Sequence, residues 1–207
     1  MTDLLQKLGY YRREASWAVW ELDESGQLAG VLAFPLEQAQ ASVHGRAMFV
    51  SLNPGSDRAT EAEESTRAWS NFHSPARKHN DIFIATALVD TPFWGGYMVD
   101  LHPSIAESDS RLVRSEPQQV ELAVRSLIQQ AELLGSVETI VCVGSRSYES
   151  VRKHSNLLEA ELGLTSNALV GIPHYSRANA RIHGQDAQRY RVKVHEMLGR
   201  LARVDEG

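Results

Sequence analysis

The sequence predicts an α/β protein, a three-layer α/β/α sandwich with a central, four-stranded, mainly parallel sheet. Four short runs are apolar at nearly every position, which is typical of strands buried on both faces. Segments of helical periodicity separate these runs, and that alternation is typical of layered α/β folds. At 207 residues the chain has the size of one domain. We therefore expect a single domain over 1–207, with residues 1–45 as its N-terminal helix and hairpin extension.

The strands are placed by composition and by flanking turns. Residues 16–21 and 28–34 are rich in apolar and aromatic side chains. The Asp-Glu-Ser-Gly sequence at 23–26 has turn chemistry, so we expect a hairpin there. The runs predicted to form the parallel strands are residues 47–52, 82–89, 139–143 and 168–172.

Helical periodicity is clearest after residue 116. Apolar residues from Val120 to Leu134 recur on one face of a helix that we expect over 117–134, with Ser115 as its cap and Gly135 at its end. A second apolar stripe predicts a helix over 187–201, and a weaker pattern predicts one over 59–70.

The composition limits the possible partners. The net charge of −5 opposes a polyanionic partner for the molecule as a whole. Residues 177–203, however, hold seven basic and two acidic side chains, a local charge of +5 that leaves −10 elsewhere. No apolar run reaches the roughly 18 residues that a membrane span requires, and residues 1–13 lack a signal-peptide core. The single Cys142 excludes a disulfide framework and an iron–sulfur cluster. We expect a cytoplasmic monomer without membrane contact.

Ligands of open α/β sheets bind outside the carboxyl ends of the strands, so the residues that follow each predicted strand are the candidate site. The first parallel strand is followed by Asn53, Pro54 and Gly55. The Asn53 carboxamide offers a donor and an acceptor, and the Pro-Gly turn holds it at the strand end. Taken alone, these three residues are more typical of an ordinary turn.

The second predicted strand is followed by Asp90 and a glycine-rich loop that carries Phe93, Trp94 and Tyr97. These aromatic side chains offer a stacking surface for a base, or they fold back onto the core, and the sequence favours neither. The Asp-Leu-His-Pro-Ser run at 100–104 is a weaker candidate because it falls in the middle of a predicted connection.

The ends of the last two strands carry polar side chains. Gly144 and Ser145 begin a predicted helix, where they bind an anion or, more commonly, cap the helix. The fourth strand is followed by an imidazole, hydroxyls, a guanidinium and an amide within six residues. These side chains belong to His174, Tyr175, Ser176, Arg177 and Asn179.

A strand that ends in Asn53-Pro54-Gly55 and a later one that ends in His174-Tyr175-Ser176, with Asn179 beyond it, resemble the two motifs of the uracil-DNA glycosylase superfamily, in its Asn-Pro-Gly branch. Residues 11–20, leading into Val-Ser-Leu-Asn-Pro at 50–54, also resemble uncharacterised bacterial proteins of that clan. The likeness extends in element order from about residue 17 to 201, and two short motifs carry it.

The resemblance implies a hydrolase that cleaves the N-glycosidic bond of a flipped uracil or other deaminated or damaged base in DNA. It assigns Asn53 to positioning water near C1′, Pro54 and Gly55 to packing near the base, and His174 to a hydrogen bond with O2 of the departing base. Because that base gains negative charge, a prepositioned donor stabilises the transition state most. The further substrate contacts we expect are Asp90, Phe93, Trp94, Tyr97, Tyr175 and Ser176, and the DNA contacts are Arg177, Asn179 and Arg181.

The chain departs from the family at two positions. Uracil readers carry Asn at the end of the second strand, where this prediction has Asp90, whose carboxylate favours a base with an exocyclic amino group. Tyr175 stands where the family usually has Pro. These departures leave open a nucleotide- or single-strand-binding module without catalysis, or a hydrolase of a small nucleoside derivative.

The basic residues also have a second interpretation. Arg189, Lys193 and Arg200 are typical of the solvated face of a helix, whereas Arg177 and Arg181 precede that helix, close to His174. No metal site is expected, because the histidines have neither the i, i+4 spacing with a Glu nor a Cys partner. No cofactor is expected either.

Overall fold

The computed structural model describes residues 3–30, 32–54, 68–74, 80–105, 107, 109, 112–113 and 116–199. The strands are β1 (Ala15–Trp17), β2 (Ala47–Ser51), β3 (Tyr97–Asp100), β4 (Thr139–Val143) and β5 (Leu169–Ile172). The α-helices are α1 (Asp3–Lys7), α2 (Leu36–Ser42), α3 (Asp81–Leu88), α4 (Pro117–Leu134), α5 (Ser145–Arg152), α6 (Ser155–Leu162), α7 (Ala180–His183) and α8 (Ala187–Leu198). Single 3-10 turns span Gly9–Tyr11, Ser166–Ala168 and Arg177–Asn179.

The strands form one mixed sheet in the order β1-β3-β2-β4-β5. Strands β3, β2, β4 and β5 are parallel, and β1 lies antiparallel to β3 at one side, with Ala15 opposite Val99. The chain passes from β2 to β3 on one side and then to β4 on the other, so the topological switch point lies between β2 and β4. We call the end of the sheet beyond Ser51, Asp100, Val143 and Ile172 the carboxyl edge.

The sheet separates two apolar clusters. Alternate residues of β2 face opposite sides, so Met48 and Val50 belong to one cluster and Ala47 and Phe49 to the other. The first cluster also contains buried residues of α4, α5 and α6, and the second contains those of α3 and α8. The predicted α/β class is therefore confirmed, with helices on both faces of the sheet.

Three of the four predicted parallel strands are confirmed as β2, β4 and β5, but the prediction of a strand over 82–89 is wrong. These residues form helix α3, in which six of the seven apolar or Thr side chains from Ile82 to Leu88 are buried. A short run that is apolar all round does not distinguish a buried helix from a buried strand. Helix α3 packs against the sheet and α8, so it exposes almost no polar face. The second parallel strand is instead β3, directly after Gly95 and Gly96.

Of the predicted N-terminal hairpin, the residues that the structure describes show the turn at residues 23–26 but not two paired strands. The Asp23 carboxylate accepts the N–H groups of Ser25 and Gln27, and a single bridge joins Leu22 to Leu28. Ala15–Trp17 leaves this hairpin and joins the main sheet as β1. The indole of Trp17 is fully buried in the core, and a two-stranded ribbon has too little apolar surface to cover such a side chain.

The clearest predicted helix, residues 117–134, is confirmed as α4. Gln119 accepts the N–H of Glu116 at its start, and Gly135 ends it with a φ of 77°. The predicted cap Ser115 and most of the predicted helix over 59–70 lie outside the described residues, and α8 ends at Leu198. Over the stretches that are described, no helix is both long enough and apolar enough to cross a bilayer.

Candidate functional site

The carboxyl edge brings residues from four strands to one end of the sheet. Asn53 follows β2, Asp100 closes β3, Gly144 follows β4 and His174 follows β5. Parallel pairing continues past the strand ends, since the N–H of His102 donates to Leu52 O at 2.9 Å. The two residues that the sequence identified as catalytic candidates, Asn53 and His174, therefore lie at the same edge.

His174 is held in one tautomer. The backbone N–H of Ser176 donates to its Nδ1 at 3.0 Å, so Nδ1 carries a lone pair and the proton of the neutral ring lies on Nε2. Burial, and next the charge of His183, lower the pKa of His174 to about 4. At neutral pH the imidazole is therefore an uncharged Nε2–H donor.

The loop that carries His174 is tied at three carbonyl groups by side chains from outside it. The bonds run from the Tyr190 hydroxyl to Pro173 O at 2.8 Å, from Asn80 Nδ2 to Tyr175 O at 3.1 Å, and from His183 Nε2 to Ser176 O at 3.2 Å. The direction of the last bond follows because Gln185 N–H donates to Nδ1 of His183. A loop with its carbonyls fixed holds the imidazole in place before any ligand arrives.

Tyr175 and Gly144 pack against His174. The rings of His174 and Tyr175 stack with centroids 4.7 Å apart at 23°. Tyr175, which the sequence predicts as a substrate contact, is only 4% exposed and supports the imidazole from within the core. Gly144 has a φ of 98°, and a Cβ there would lie 3.4 Å from the His174 Cβ. That distance is an ordinary van der Waals contact, so glycine is needed here for the backbone angle and not for space.

Asn53 uses one end of its carboxamide to organise the site. Its Nδ2 donates to Ile105 O at 3.0 Å, to Glu107 O at 2.8 Å and to Pro54 O at 2.8 Å. These bonds hold the segment after β3 beside the segment after β2. The carboxamide therefore offers its Oδ1, an acceptor, to a bound molecule. Gly55 lies outside the described residues.

Two buried carboxylates, Asp81 and Asp100, lie next to the His174 loop. Asp100 is 3% exposed and accepts from Asn71 Nδ2 at 3.0 Å, and Asp81 accepts from the Ser74 N–H at 2.8 Å. Burial and then the charge of Asp81 raise the pKa of Tyr175 well above its usual value, and Asp100 contributes in the same direction. Tyr175 thus stays protonated between these carboxylates and His174.

Sequence reasoning missed Asp81 and placed Asp100 in the middle of a connection. Asn80 and Asp81 stand directly before the apolar run, where polar residues commonly begin a helix. The three apolar residues after Gly95-Gly96, with Pro103 a few residues on, are typical of a short buried strand. These patterns were the available evidence for α3 and β3.

Asp90, Phe93, Trp94 and Tyr97 lie at the opposite end of the sheet from His174. Tyr97 begins β3 and pairs with Met48 near the start of β2. The aromatic rings fold back onto the core, the second of the two alternatives. Their partners are Phe49 for Phe93 at 6.3 Å, Trp20 for Trp94 at 5.8 Å, and Trp17 for Tyr97 at 5.1 Å. The mistaken strand over 82–89 is the reason these residues were expected at the site.

The basic residues divide into two groups. Arg177 and Arg181 are exposed and directly follow the His174 loop, and neither forms an ion pair with a residue that the structure describes. The N–H of Asn179 donates to Ser176 O at 2.9 Å, which closes the turn between them. Lys193, by contrast, pairs with Glu196 at 3.0 Å on the exposed face of α8.

A further cation, Arg146, lies near the switch point at the start of α5. Its guanidinium donates to Val113 O at 2.8 Å. Burial and then the charge of Arg146 lower the pKa of His102, which is 8% exposed on the segment after β3. The edge therefore combines buried carboxylates, a neutral imidazole donor and guanidinium groups.

Comparison with protein-family models and with curated proteins finds no match for this chain. Among the described residues, His, Cys, Asp and Glu side chains form no group of three or more that could hold a metal ion.

Proposed function

We propose that this protein is a DNA glycosylase-like hydrolase, which cleaves the N-glycosidic bond of a base bound at the carboxyl edge. The observation that carries the proposal is the neutral Nε2–H of His174, fixed by Ser176 and by a loop tied at three carbonyls. A leaving base gains negative charge as its bond to C1′ breaks. A fixed donor aimed at that charge lowers the barrier without reorganising in the transition state.

In the proposed reaction, Asn53 acts on the attacking water and His174 acts on the departing base. The Oδ1 of Asn53 accepts a hydrogen bond from a water molecule and orients its oxygen towards C1′. The bonding electrons of the N-glycosidic bond pass to the base, and His174 Nε2–H donates to a carbonyl oxygen of that base. The water oxygen then bonds to C1′ and loses its proton, and the base leaves after taking up a proton. A single donor of this kind contributes about 10²- to 10³-fold in rate.

Asp100, and not Asp90, occupies the end of the second parallel strand. This is the position from which the resemblance expects the base to be read. The buried carboxylate accepts from Asn71 and offers no N–H, unlike an Asn side chain. We therefore propose that the enzyme favours a base that presents an exocyclic amino group to Asp100.

Base release tests the proposal on oligonucleotides that each carry one altered base, some deaminated and some damaged bases that keep an exocyclic amino group. Wild-type protein should release one of these bases, and Asn53→Ala and His174→Ala should each lower the rate at least about 100-fold. His154→Ala is the matched control, since that imidazole bonds Ser150 O at the far end of α5. Failure of the wild type on the whole panel, or a wild-type rate in His174→Ala, contradicts the proposal.

One observation favours a second candidate, a nucleotide- or single-strand-binding module without catalysis. The NH2 of Asn53 is engaged by three backbone carbonyls, so half of this carboxamide serves the structure of the loop. Saturable oligonucleotide binding with no base release would support this candidate over the glycosylase.

A further inference from the structure

The segment before β1 lies at the carboxyl edge. Because β1 is antiparallel to β3, its first residue, Ala15, stands opposite Val99, next to the end of β3. The chain that leads into Ala15 therefore reaches the end of the sheet where Asn53 and His174 lie.

Hydrogen bonds join this segment to the site. The N–H of Trp69 donates to Arg12 O at 2.6 Å. Asn71 Nδ2 donates both to Glu14 O at 2.8 Å and to the Asp100 carboxylate at 3.0 Å. The Asn71 amide thus connects the N-terminal segment to the Asp100 carboxylate at the end of β3, and it fixes the position of the segment relative to that carboxylate.

Residues 6–13 line an open surface groove of about 500 Å³, which we call the N-terminal groove. It is lined by Gln6, Gly9, Tyr10, Arg12 and Arg13. Tyr10 is 91% exposed, the most exposed of the large hydrophobic side chains in the described residues. Arg12 and Arg13 are also exposed, and neither has an ion-pair partner among the residues that the structure describes.

The chemistry of the groove fits a single-stranded nucleic acid. Residues 7–14 hold three cations and one carboxylate, a local charge of +2 on a protein of net charge −5. Guanidinium groups pair with phosphates, and an exposed tyrosine ring stacks on a base. The bases of a duplex are stacked on each other and cannot cover the ring, and an acidic peptide offers no flat partner for it.

We propose that the N-terminal groove binds the backbone and one unpaired base of a single strand whose neighbouring nucleotide enters the carboxyl edge; this inference rests on the proposed function. Arg12 and Arg13 contact phosphates, and Tyr10 stacks on the base. Arg177 and Arg181 follow β5, the outer strand on the other side of the sheet. The outer strands β1 and β5 lie about 19 Å apart in a sheet of five strands, so a bound strand that contacts both cation pairs crosses the edge.

Fluorescence anisotropy with a labelled, undamaged single strand of about 12 nucleotides tests the groove on the full chain. Arg12→Glu/Arg13→Glu should weaken binding more than about tenfold and lower the slope of log affinity against log salt by about 1.4, since each phosphate contact contributes about 0.7. Tyr10→Ala should weaken binding about tenfold with an unchanged slope. The matched control is Arg152→Glu/Lys153→Glu, which makes the same charge change at the exposed end of α5. Circular dichroism verifies that each variant is folded.

The proposal is overturned if the wild type does not bind the single strand, if it binds a duplex or an acidic peptide as tightly, or if the Arg12/Arg13 variant binds like the control. Base release by the same proteins separates this outcome from failure of the proposed function. If binding depends on the groove but no base is released, the groove proposal is supported and the glycosylase proposal is contradicted. If the Arg12/Arg13 variant releases the base and binds the strand like the wild type, the glycosylase proposal is supported and the groove proposal is contradicted.

Discussion

Replacement of Ser176 by Pro tests the hydrogen bond that defines His174. Ser176 has a φ of −62°, which is the angle that a proline ring imposes. The substitution keeps that backbone angle and removes the N–H that donates to His174 Nδ1 at 3.0 Å. It also places the proline Cδ where the hydrogen was, so the imidazole must turn away from it. Ser176→Ala is the matched control, because it removes the hydroxyl and keeps the N–H.

The size of the effect follows from this one bond. An N–H that donates to Nδ1 stabilises the neutral ring and opposes protonation, by about 1 kcal/mol. Since about 1.4 kcal/mol corresponds to one pH unit, the pKa of His174 should rise from about 4 by about 0.7 in Ser176→Pro. Burial, the larger cause, persists, so the pKa should remain below the ordinary histidine value.

Two-bond ¹H–¹⁵N correlation spectra of the histidine rings measure both tautomer and pKa. The wild type and Ser176→Ala should show His174 with its proton on Nε2 and a titration near pH 4. Ser176→Pro should show a mixed tautomer and a higher pKa. A wild-type ring protonated on Nδ1, a titration near pH 6.5, or a Ser176→Pro titration identical to the wild type refutes the reasoning.

Two further predictions concern stability and specificity. Burial lowers the pKa of His73 to about 4, so the unfolded chain binds a proton between pH 6.5 and 4 that the folded protein does not. His73 should therefore lower stability by about 3 kcal/mol as the pH drops through that window, in addition to a similar contribution from His174. The difference in the free energy of urea unfolding between pH 7 and pH 4 should be smaller in His73→Gln than in the wild type, and an equal difference contradicts the assignment. Asp100→Asn should move base preference towards uracil in paired oligonucleotide assays, because an amide supplies the missing donor, and an unchanged preference argues against base reading by Asp100.

The elements that the sequence located correctly are those with an unambiguous local pattern. Helix α4 has apolar residues on one face, polar residues on the other and a glycine at its end, so its period and its boundary are both local properties. Strands β2, β4 and β5 are short apolar runs that end at turn residues or glycine. A local pattern suffices where only one kind of element satisfies it.

The wrong prediction at residues 82–89 shows that a local sequence pattern does not always distinguish a helix from a strand. The apolar runs of α3 and β3 are both short and both almost wholly buried. What separates them is their partners, since α3 packs on α8 and β3 pairs with β1 and β2. Because the wrong run was taken as the strand, Asp90 was expected at the site in place of Asp100.

The sequence by itself determined the α/β class and, through the rule that ligands bind at the carboxyl ends of parallel strands, the common edge of Asn53 and His174. Only the tertiary structure decided the state of His174. The donors that fix its loop come from Asn80, His183 and Tyr190, on separate elements, and its burial comes from the packed layers. Periodicity and turn chemistry are local properties of a chain, whereas a tautomer and a pKa depend on every group that packing brings near the ring.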